Sequence, residues 1–201
     1  MVSPANAAAV QALDAWPDWR AGCLVLVGPE ACGKTHLATV WEQEAGAVRA
    51  DAAPLADLRG KPVLLENADR GVADETLFHL IEMAAVHGGG LLMTARAPPV
   101  EWPSALPDLR SRLNALPVAE IGPPDDTVLE GALRRFFEAR HITPAEEIYP
   151  YLLARMERSV PRAFDLVAML DDAALERGQA VSRALARQIL EIDGETPDLF
   201  P

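Results

Sequence analysis

Lysine is nearly missing from this chain. Of 18 basic residues only Lys34 and Lys61 are lysine and the rest are arginine, so any chemistry that needs an ammonium group has two candidates. Positive charge is scarce altogether: 30 acidic residues face those 18 and leave a formal net charge of −12, of which residues 1–100 carry −5 and the remainder −7. A duplex-binding protein shows a basic face or stripe, because each neutralised phosphate adds a counterion-release term. With neither half basic, direct sequence-specific DNA binding is not expected. Aromatic residues are only 5% in a chain that is 50% hydrophobic, so the core must be built largely from Leu, Val and Ala.

Cysteine is almost absent too, with Cys23 and Cys32 alone, and there is neither an apolar run of membrane-spanning length nor a basic-then-apolar leader. These absences predict a cytoplasmic protein with free thiols and no membrane association. The four histidines, His36, His79, His87 and His141, show no metal-ligand spacing with the cysteines and read as structural.

The 201 residues suffice for one domain of ordinary size and a smaller second one. Ser3-Pro4 predicts a helix with Ser3 as cap and Pro4 at its first position, running to about Trp16. Cys23–Val27 (CLVLV) is a continuous apolar run ending at Gly28, the pattern of a strand buried on both faces. Similar runs recur at Val63–Leu65, at Leu91–Met93 and, more weakly, near Leu116–Ile121. Helical patterns lie between them at about Lys34–Glu44 and Asp74–His87, so strand alternates with helix and an α/β domain with a parallel sheet is expected over residues 1–122. After Gly122-Pro123-Pro124 only helices remain, at about Asp126–Arg140, Pro144–Met156, Pro161–Arg177 and Ser182–Ile192. Thr143-Pro144-Ala145-Glu146 and Ser159-Val160-Pro161-Arg162 look like the cap signals of two of them. Residues 123–192 therefore read as a small all-helical domain and 193–201 as an acidic, loose tail.

Gly28-Pro29-Glu30-Ala31-Cys32-Gly33-Lys34-Thr35 matches the phosphate-loop pattern G-x-x-x-x-G-K-S/T, directly after a buried strand and opening a helix. Glycines let the backbone wrap a phosphate chain, and amides at the helix N-terminus point at it. Lys34 would reach the β and γ phosphates and Thr35 the magnesium. One of only two lysines thus falls on the position that requires one. Cys32 reads as a small filler in this loop, although a thiol beside a helix N-terminus can also be activated. Pro62–Asp69 supplies an apolar strand ending in Glu66, the acid expected to help hold magnesium. Asn67 stands where a hydrolytic site would place a second carboxylate, which predicts weak or absent self-hydrolysis. Asp69 reads either as a partial substitute or as a solvated residue at a helix entry.

An arginine at a helix end beside a nucleotide can fork onto phosphate oxygens. Leu106–Leu113 (LPDLRSRL) reads as a short helix carrying Arg112, and Arg162 opens a helix of the small domain. The order of these motifs, with the phosphate loop at Gly28, the acidic strand end at Glu66, Thr94-Ala95-Arg96, LPDLRSRL and a helical lid bearing Arg162, resembles the AAA+ ATPases of the DnaA group. The sequences Gly33-Lys34-Thr35-His36-Leu37, LPDLRSRL and Arg162-Ala163-Phe164-Asp165-Leu166 are similar to the Hda-like regulators, the regulatory inactivators of DnaA.

The resemblance implies roles for particular residues. Asn6 matches a position lining the adenine pocket; Gly28 through Lys34, Thr35 and His36 match the phosphate loop for ADP or ATP with Mg2+; and Glu66 matches the metal-site acid. Arg112 matches an arginine finger offered to a neighbouring subunit's nucleotide, and Arg162 matches the lid's sensor arginine. Thr94–Arg96 matches the sensor of the fourth strand, where Arg96 replaces the family's Asp.

In DnaA itself a helix-turn-helix domain follows the lid, and extra helices between the two nucleotide motifs grip single-stranded DNA. Here the lid is followed by an acidic stretch, and only 28 positions separate Thr35 from Val63. A regulator is therefore expected, presenting Arg112 to ATP-bound DnaA with the sliding clamp as tether. Such regulators grip the clamp through an N-terminal Gln-Leu-x-Leu-type peptide, which does not precede Ser3 here. Either that start is truncated or misassigned, or clamp binding has moved, with Leu199 and Phe200 of the tail as candidates. Another AAA+ adaptor or loader of a replication or transposition protein, and a small P-loop kinase, are the competing readings; homo-oligomerisation stays open.

Overall fold

The run Cys23–Val27 forms β1, buried at every residue, in the computed structural model, which describes residues 2–194. It is central in a five-stranded parallel sheet with β2 (Val48–Arg49), β3 (Val63–Leu65), β4 (Leu91–Ala95) and β5 (Val118–Glu120), in the order β2-β3-β4-β1-β5. Leu26 pairs with Thr94 of β4 and Ala119 of β5, while Leu64 pairs with Leu92 and with Arg49. Because the strands are parallel, their carboxyl ends share one edge, and the polar residues that follow them gather there.

Side chains alternate across this sheet with the two-residue period of a strand. Cys23, Val25, Val27, Leu91, Met93 and Ala95 pack with Leu77, Leu80, Ile81 and Ala84 of α3 (Asp74–His87) and with Leu109 and Leu113 of α4 (Pro107–Leu113). Leu24, Leu26, Leu64 and Leu92 face the other way, onto Ala9 and Leu13 of α1 (Ala7–Asp14) and Ala38 and Trp41 of α2 (Lys34–Ala45). Three of the four tryptophans gather here: Trp41 stacks on Trp19 at 5.3 Å and meets the edge of Trp16 at 6.0 Å. Burial pushes the Cys23 thiol up to about 12, so it remains protonated near neutral pH.

The first helix begins later than its sequence suggests. Asn6, not Ser3, is its N-terminal flanking residue, and Pro4 lies in a preceding turn. The Ser3 N–H donates to Asn6 Oδ1 (2.8 Å) and the Ala5 N–H to Ser3 Oγ (3.2 Å), so both polar side chains serve the turn and leave no cap for a helix starting at Pro4.

Val2–Gly122 forms one compact unit, and the chain from Pro123 onward forms another. The second contains α5 (Asp126–Ala139), α6 (Ile148–Leu153), α7 (Val160–Arg177) and α8 (Arg183–Gly194) around a core that includes Leu129, Leu133, Phe137, Leu152, Leu166 and Leu170. Asp125 caps α5 by accepting from the Val128 N–H at 3.0 Å, and Ser159 caps α7 by accepting from the Arg162 N–H at 3.3 Å. The helix expected over Pro144–Met156 is shorter at both ends. Glu146 does not reach back to Thr143; its carboxylate takes the Arg134 guanidinium at 3.0 and 2.5 Å, leaving the capping box unmade.

Phe137 is fully buried and meets Tyr149 edge to face at 6.1 Å. Phe137→Ala is expected to cost about 3–5 kcal/mol through lost transfer energy and the cavity left behind. Urea denaturation followed by circular dichroism checks this; an unchanged transition would show that Phe137 does not anchor this core.

Three carboxylates titrate below their ordinary range: Glu146 through its bonds from Arg134, Glu42 through its bonds from Arg49, and Asp74 through bonds from the Ala105 N–H and the Ser104 hydroxyl. Each binds its proton more weakly folded than unfolded, so its stabilisation is present above the unfolded carboxylate value and disappears as pH falls through the folded one. Stability should therefore decline below about pH 4, where unfolded Asp and Glu carboxylates take up protons. A urea midpoint that rises on acidification would contradict this.

Candidate phosphate-binding site

Gly28 leaves β1 where no side chain fits: a Cβ there would stand 2.4 Å from the Ile121 carbonyl oxygen and 2.8 Å from Cys32 Sγ. Gly33 has open space around it but φ +101, so there the backbone conformation favours glycine. Between them the loop turns at Ala31 (φ +58), and α2 begins at Lys34. The Lys34 Nζ donates to the carbonyls of Gly28 and Pro29, both at 2.7 Å, and lies 3.8 Å from the buried Cys32 Sγ. The one lysine in the loop is thus held across its mouth, while Thr35 and His36 are exposed on the first turn of α2. Glu30, exposed in the same loop, carries the wrong sign for a phosphate site. Arg96, just after β4, balances it with an ion pair at 2.6 Å.

Glu66 follows β3 and takes Arg49 Nη1 on Oε2 at 3.0 Å, while its Oε1 is buried without a hydrogen-bond partner among the described residues. By strand register it lies level with Thr94 and Leu26, two residues short of the loop's first glycine. Asn67 adopts φ +54 and donates its N–H to the buried Thr94 hydroxyl at 3.0 Å, which ties the end of β3 to β4. Asp69 accepts on Oδ2 from the N–H groups of Arg96 (2.9 Å) and Ala97 (3.3 Å), so it shapes the exit of β4 and is not a solvated helix entry, while its Oδ1 is buried without a hydrogen-bond partner among the described residues.

Arg49 was not singled out by the sequence. It lies on a two-residue strand and forks onto Glu42 of α2 through Nε (2.9 Å) and Nη2 (2.8 Å) as well as reaching Glu66. Only the pairing of β2 with β3 brings it to that acid.

The remaining expected residues are placed as follows. Asn6 lies beside the end of β5, since the Gly122 N–H donates to the Ala5 carbonyl at 2.9 Å. Arg112 occupies the last turn of α4, its guanidinium 4.6 Å from the Phe78 ring centroid and 3.6 Å from Glu82 Oε1. Arg162 is partly buried in the first turn of α7, in the second unit. Leu199 and Phe200 lie outside the described residues.

A parallel sheet in which β4 separates the loop-bearing β1 from the acid-bearing β3, with a helical unit after it, has close structural counterparts. Domain III of the replication initiation protein DnaA from Thermotoga maritima superimposes with a TM-score of 0.75 at 19% identity, covering 98% of this chain and 95% of that one. The fold is that of the AAA+ P-loop ATPases. The same AAA+ arrangement is found in AMPPCP-bound DnaA from Aquifex aeolicus (TM-score 0.68, 15% identity, 88% of this chain and 64% of that one). It recurs in the Thermotoga maritima RuvB Holliday junction branch migration motor (TM-score 0.66, 16% identity, 91% and 66%). This chain thus matches the DnaA domain nearly end to end and about two thirds of the longer chains. No protein-family model matches the sequence, and no curated protein matches it. Among the described residues no helix of this AAA+ fold is long and apolar enough to cross a membrane.

The residues present fit a nucleotide. The glycine-lined loop, the α2 N-terminus and Lys34 suit a phosphate chain, and the Thr35 hydroxyl with the orphaned Glu66 Oε1 would hold magnesium.

Proposed function

We propose that this protein is a nucleotide-holding AAA+ regulator of replication initiation, which offers Arg112 in trans to the ATP of a DnaA-type initiator while both are tethered by the sliding clamp. The observation that carries the reading is the contrast between two arginines of α4. Arg110 is occupied by the protein itself, donating to the carbonyls of Val100 (3.3 Å), Trp102 (2.9 Å) and Ser104 (3.5 Å). Arg112 makes no such bond. It lies over Phe78 with Glu82 beyond hydrogen-bond distance, about one third exposed, so its fork is oriented and still available to an incoming phosphate oxygen.

In this reading ADP or ATP at the loop acts as a conformational pin. The amides at the start of α2 and the Lys34 ammonium take the phosphates, and Asn6 lines the base pocket. A bound Mg2+ would screen phosphate charge. Asn67 supplies no carboxylate to activate a water, so the protein turns over its own nucleotide slowly or not at all. An arginine supplied in trans is worth about 10³–10⁵ in rate to a partner's hydrolysis. The acidic surface suits a protein that reaches DNA through others.

The test is to load DnaA with radiolabelled ATP and follow hydrolysis with clamp on DNA, with and without this protein. Acceleration only when all components are present supports the reading; hydrolysis at the rate of DnaA alone overturns it. Clamp retention compared between the intact chain and one lacking Leu199 and Phe200 decides the tail's part, and equal retention removes it.

A further inference from the structure

The arginines of the helical unit are not spread evenly. Arg155, after α6, and Arg183 and Arg187, on α8, converge with Tyr151 on one open groove of about 950 Å3. The Tyr151 ring organises two of them, with the Arg155 guanidinium 4.1 Å and the Arg183 guanidinium 4.9 Å from its centroid. Like charges gathered around one ring repel each other, and little nearby answers them. Glu191 is the one acid lining the groove among the described residues, and it accepts from Arg187 Nε at 2.7 Å. Arg155 spends Nη1 on the Tyr151 carbonyl (3.3 Å), and Arg183 donates no side-chain hydrogen bond among the described residues. Three guanidiniums against one carboxylate leave the groove lining at +2 on a chain of −12. The amino end of α8, where Ser182 Oγ accepts from the Leu185 N–H at 3.3 Å, adds the positive pole of a helix dipole beside Arg183.

The anion that fits such a groove is short. A long polyanion such as nucleic acid meets the field of the acidic chain beyond it, and the Tyr151 ring, already against two guanidiniums, is a poor platform for a base. Arg183 and Arg187 stand four residues apart on α8, about 6 Å along its axis. In an extended peptide, side chains two residues apart point the same way at about 7 Å, nearly the same spacing. Leu190 and the arginine stems supply apolar surface beside them.

We propose that this groove docks a short extended acidic segment of a partner protein, with carboxylates two residues apart taken by Arg183 and Arg187, a third guanidinium from Arg155, and an apolar side chain of the segment against Leu190. The site belongs wholly to the helical unit and does not depend on the reading of the Gly28–Thr35 loop. Its contacts are exposed ion pairs, so the docking is modest in strength, sensitive to salt and suited to a reversible encounter.

Fluorescence anisotropy of a labelled peptide, acetyl-Gly-Glu-Ser-Glu-Leu-Gly, titrated with the full chain tests this. Binding should be seen at low salt and weaken about tenfold as NaCl is raised to about 0.5 M. The same peptide with both glutamates replaced by glutamine, or with the two glutamates made adjacent, should bind about fivefold more weakly or worse. Arg183→Gln and Arg187→Gln should each weaken binding about fivefold, and the double variant by more than about tenfold. Both side chains are exposed, so the variants should keep native helix content by circular dichroism. Arg158→Gln, which changes an exposed arginine of the same unit that pairs with Asp126, should bind as the native chain does. No anisotropy change with protein up to about 1 mM, binding that the double variant retains, or equal binding of the glutamine peptide overturns the proposal. A short oligothymidylate that binds more tightly than the peptide, and loses that binding in the double variant, would make the groove a nucleic-acid surface and overturns it too. So does peptide binding that emerges only once Glu195→Gln and Asp198→Asn are introduced, which would make the chain's own tail the occupant.

Discussion

Arg112→Ala should abolish the stimulation of DnaA-bound ATP hydrolysis, a loss of about 10³ or more in rate if the arginine acts as a trans finger. The same protein should keep its fold and its own nucleotide, because Arg112 meets α3 through Phe78 and Glu82 and is itself a member of neither core of the sheet. Arg112→Lys should recover little, since an ammonium is a point charge without the planar fork that matches two phosphate oxygens. Arg110→Ala is the counter-control. It releases the carbonyls of Val100 and Trp102 and should loosen the segment before α4, lowering stability as well as stimulation. Stimulation that survives Arg112→Ala in a correctly folded protein would remove the trans-finger mechanism.

Lys34→Ala should reduce nucleotide affinity by about a hundredfold or more, in line with losing a charge-assisted contact to phosphate in a partly buried loop. The loss should not come from unfolding. Lys34 Nζ is bonded to two loop carbonyls that face the loop's own mouth, and the packing of α2 on the sheet runs through Ala38 and Trp41. Fluorescence titration with a labelled ADP, alongside a thermal melt, separates the two effects. Lys61→Ala, which changes the only other lysine and lies before β3 at the opposite edge of the sheet, should bind as the native chain does. Unchanged affinity in Lys34→Ala would mean that the phosphates are held elsewhere.

The α/β architecture was legible because parallel strands buried on both faces must be continuously apolar, and CLVLV and its successors are. The loop was legible because its residue types are demanded by backbone conformation at Gly33 and by close approach at Gly28. Local signals misled where a side chain had a stronger distant partner. Glu146 looked like half of a capping box and instead holds Arg134 across the helical unit, and Ser3 looked like a cap but closes a turn with Asn6. Arg49 and the Glu30–Arg96 pair were invisible for the same reason. Each joins segments far apart in sequence whose meeting depends on strand register, and β2 has only two residues to announce itself.

The strand order also sets when the sheet can form. β1 has no neighbour close to it in sequence; it pairs with β4 from Cys23↔Leu91 and with β5 from Val25↔Val118. On a chain emerging amino end first, the continuously apolar β1 waits unpaired until residues beyond Ala95 are out; when the whole chain refolds, the shorter-range contacts of the helical unit can close first. Slow synthesis or a break in the chain before Ala95 would therefore leave CLVLV exposed to aggregation, and refolding should show a late phase in β-sheet formation that trails the appearance of helix.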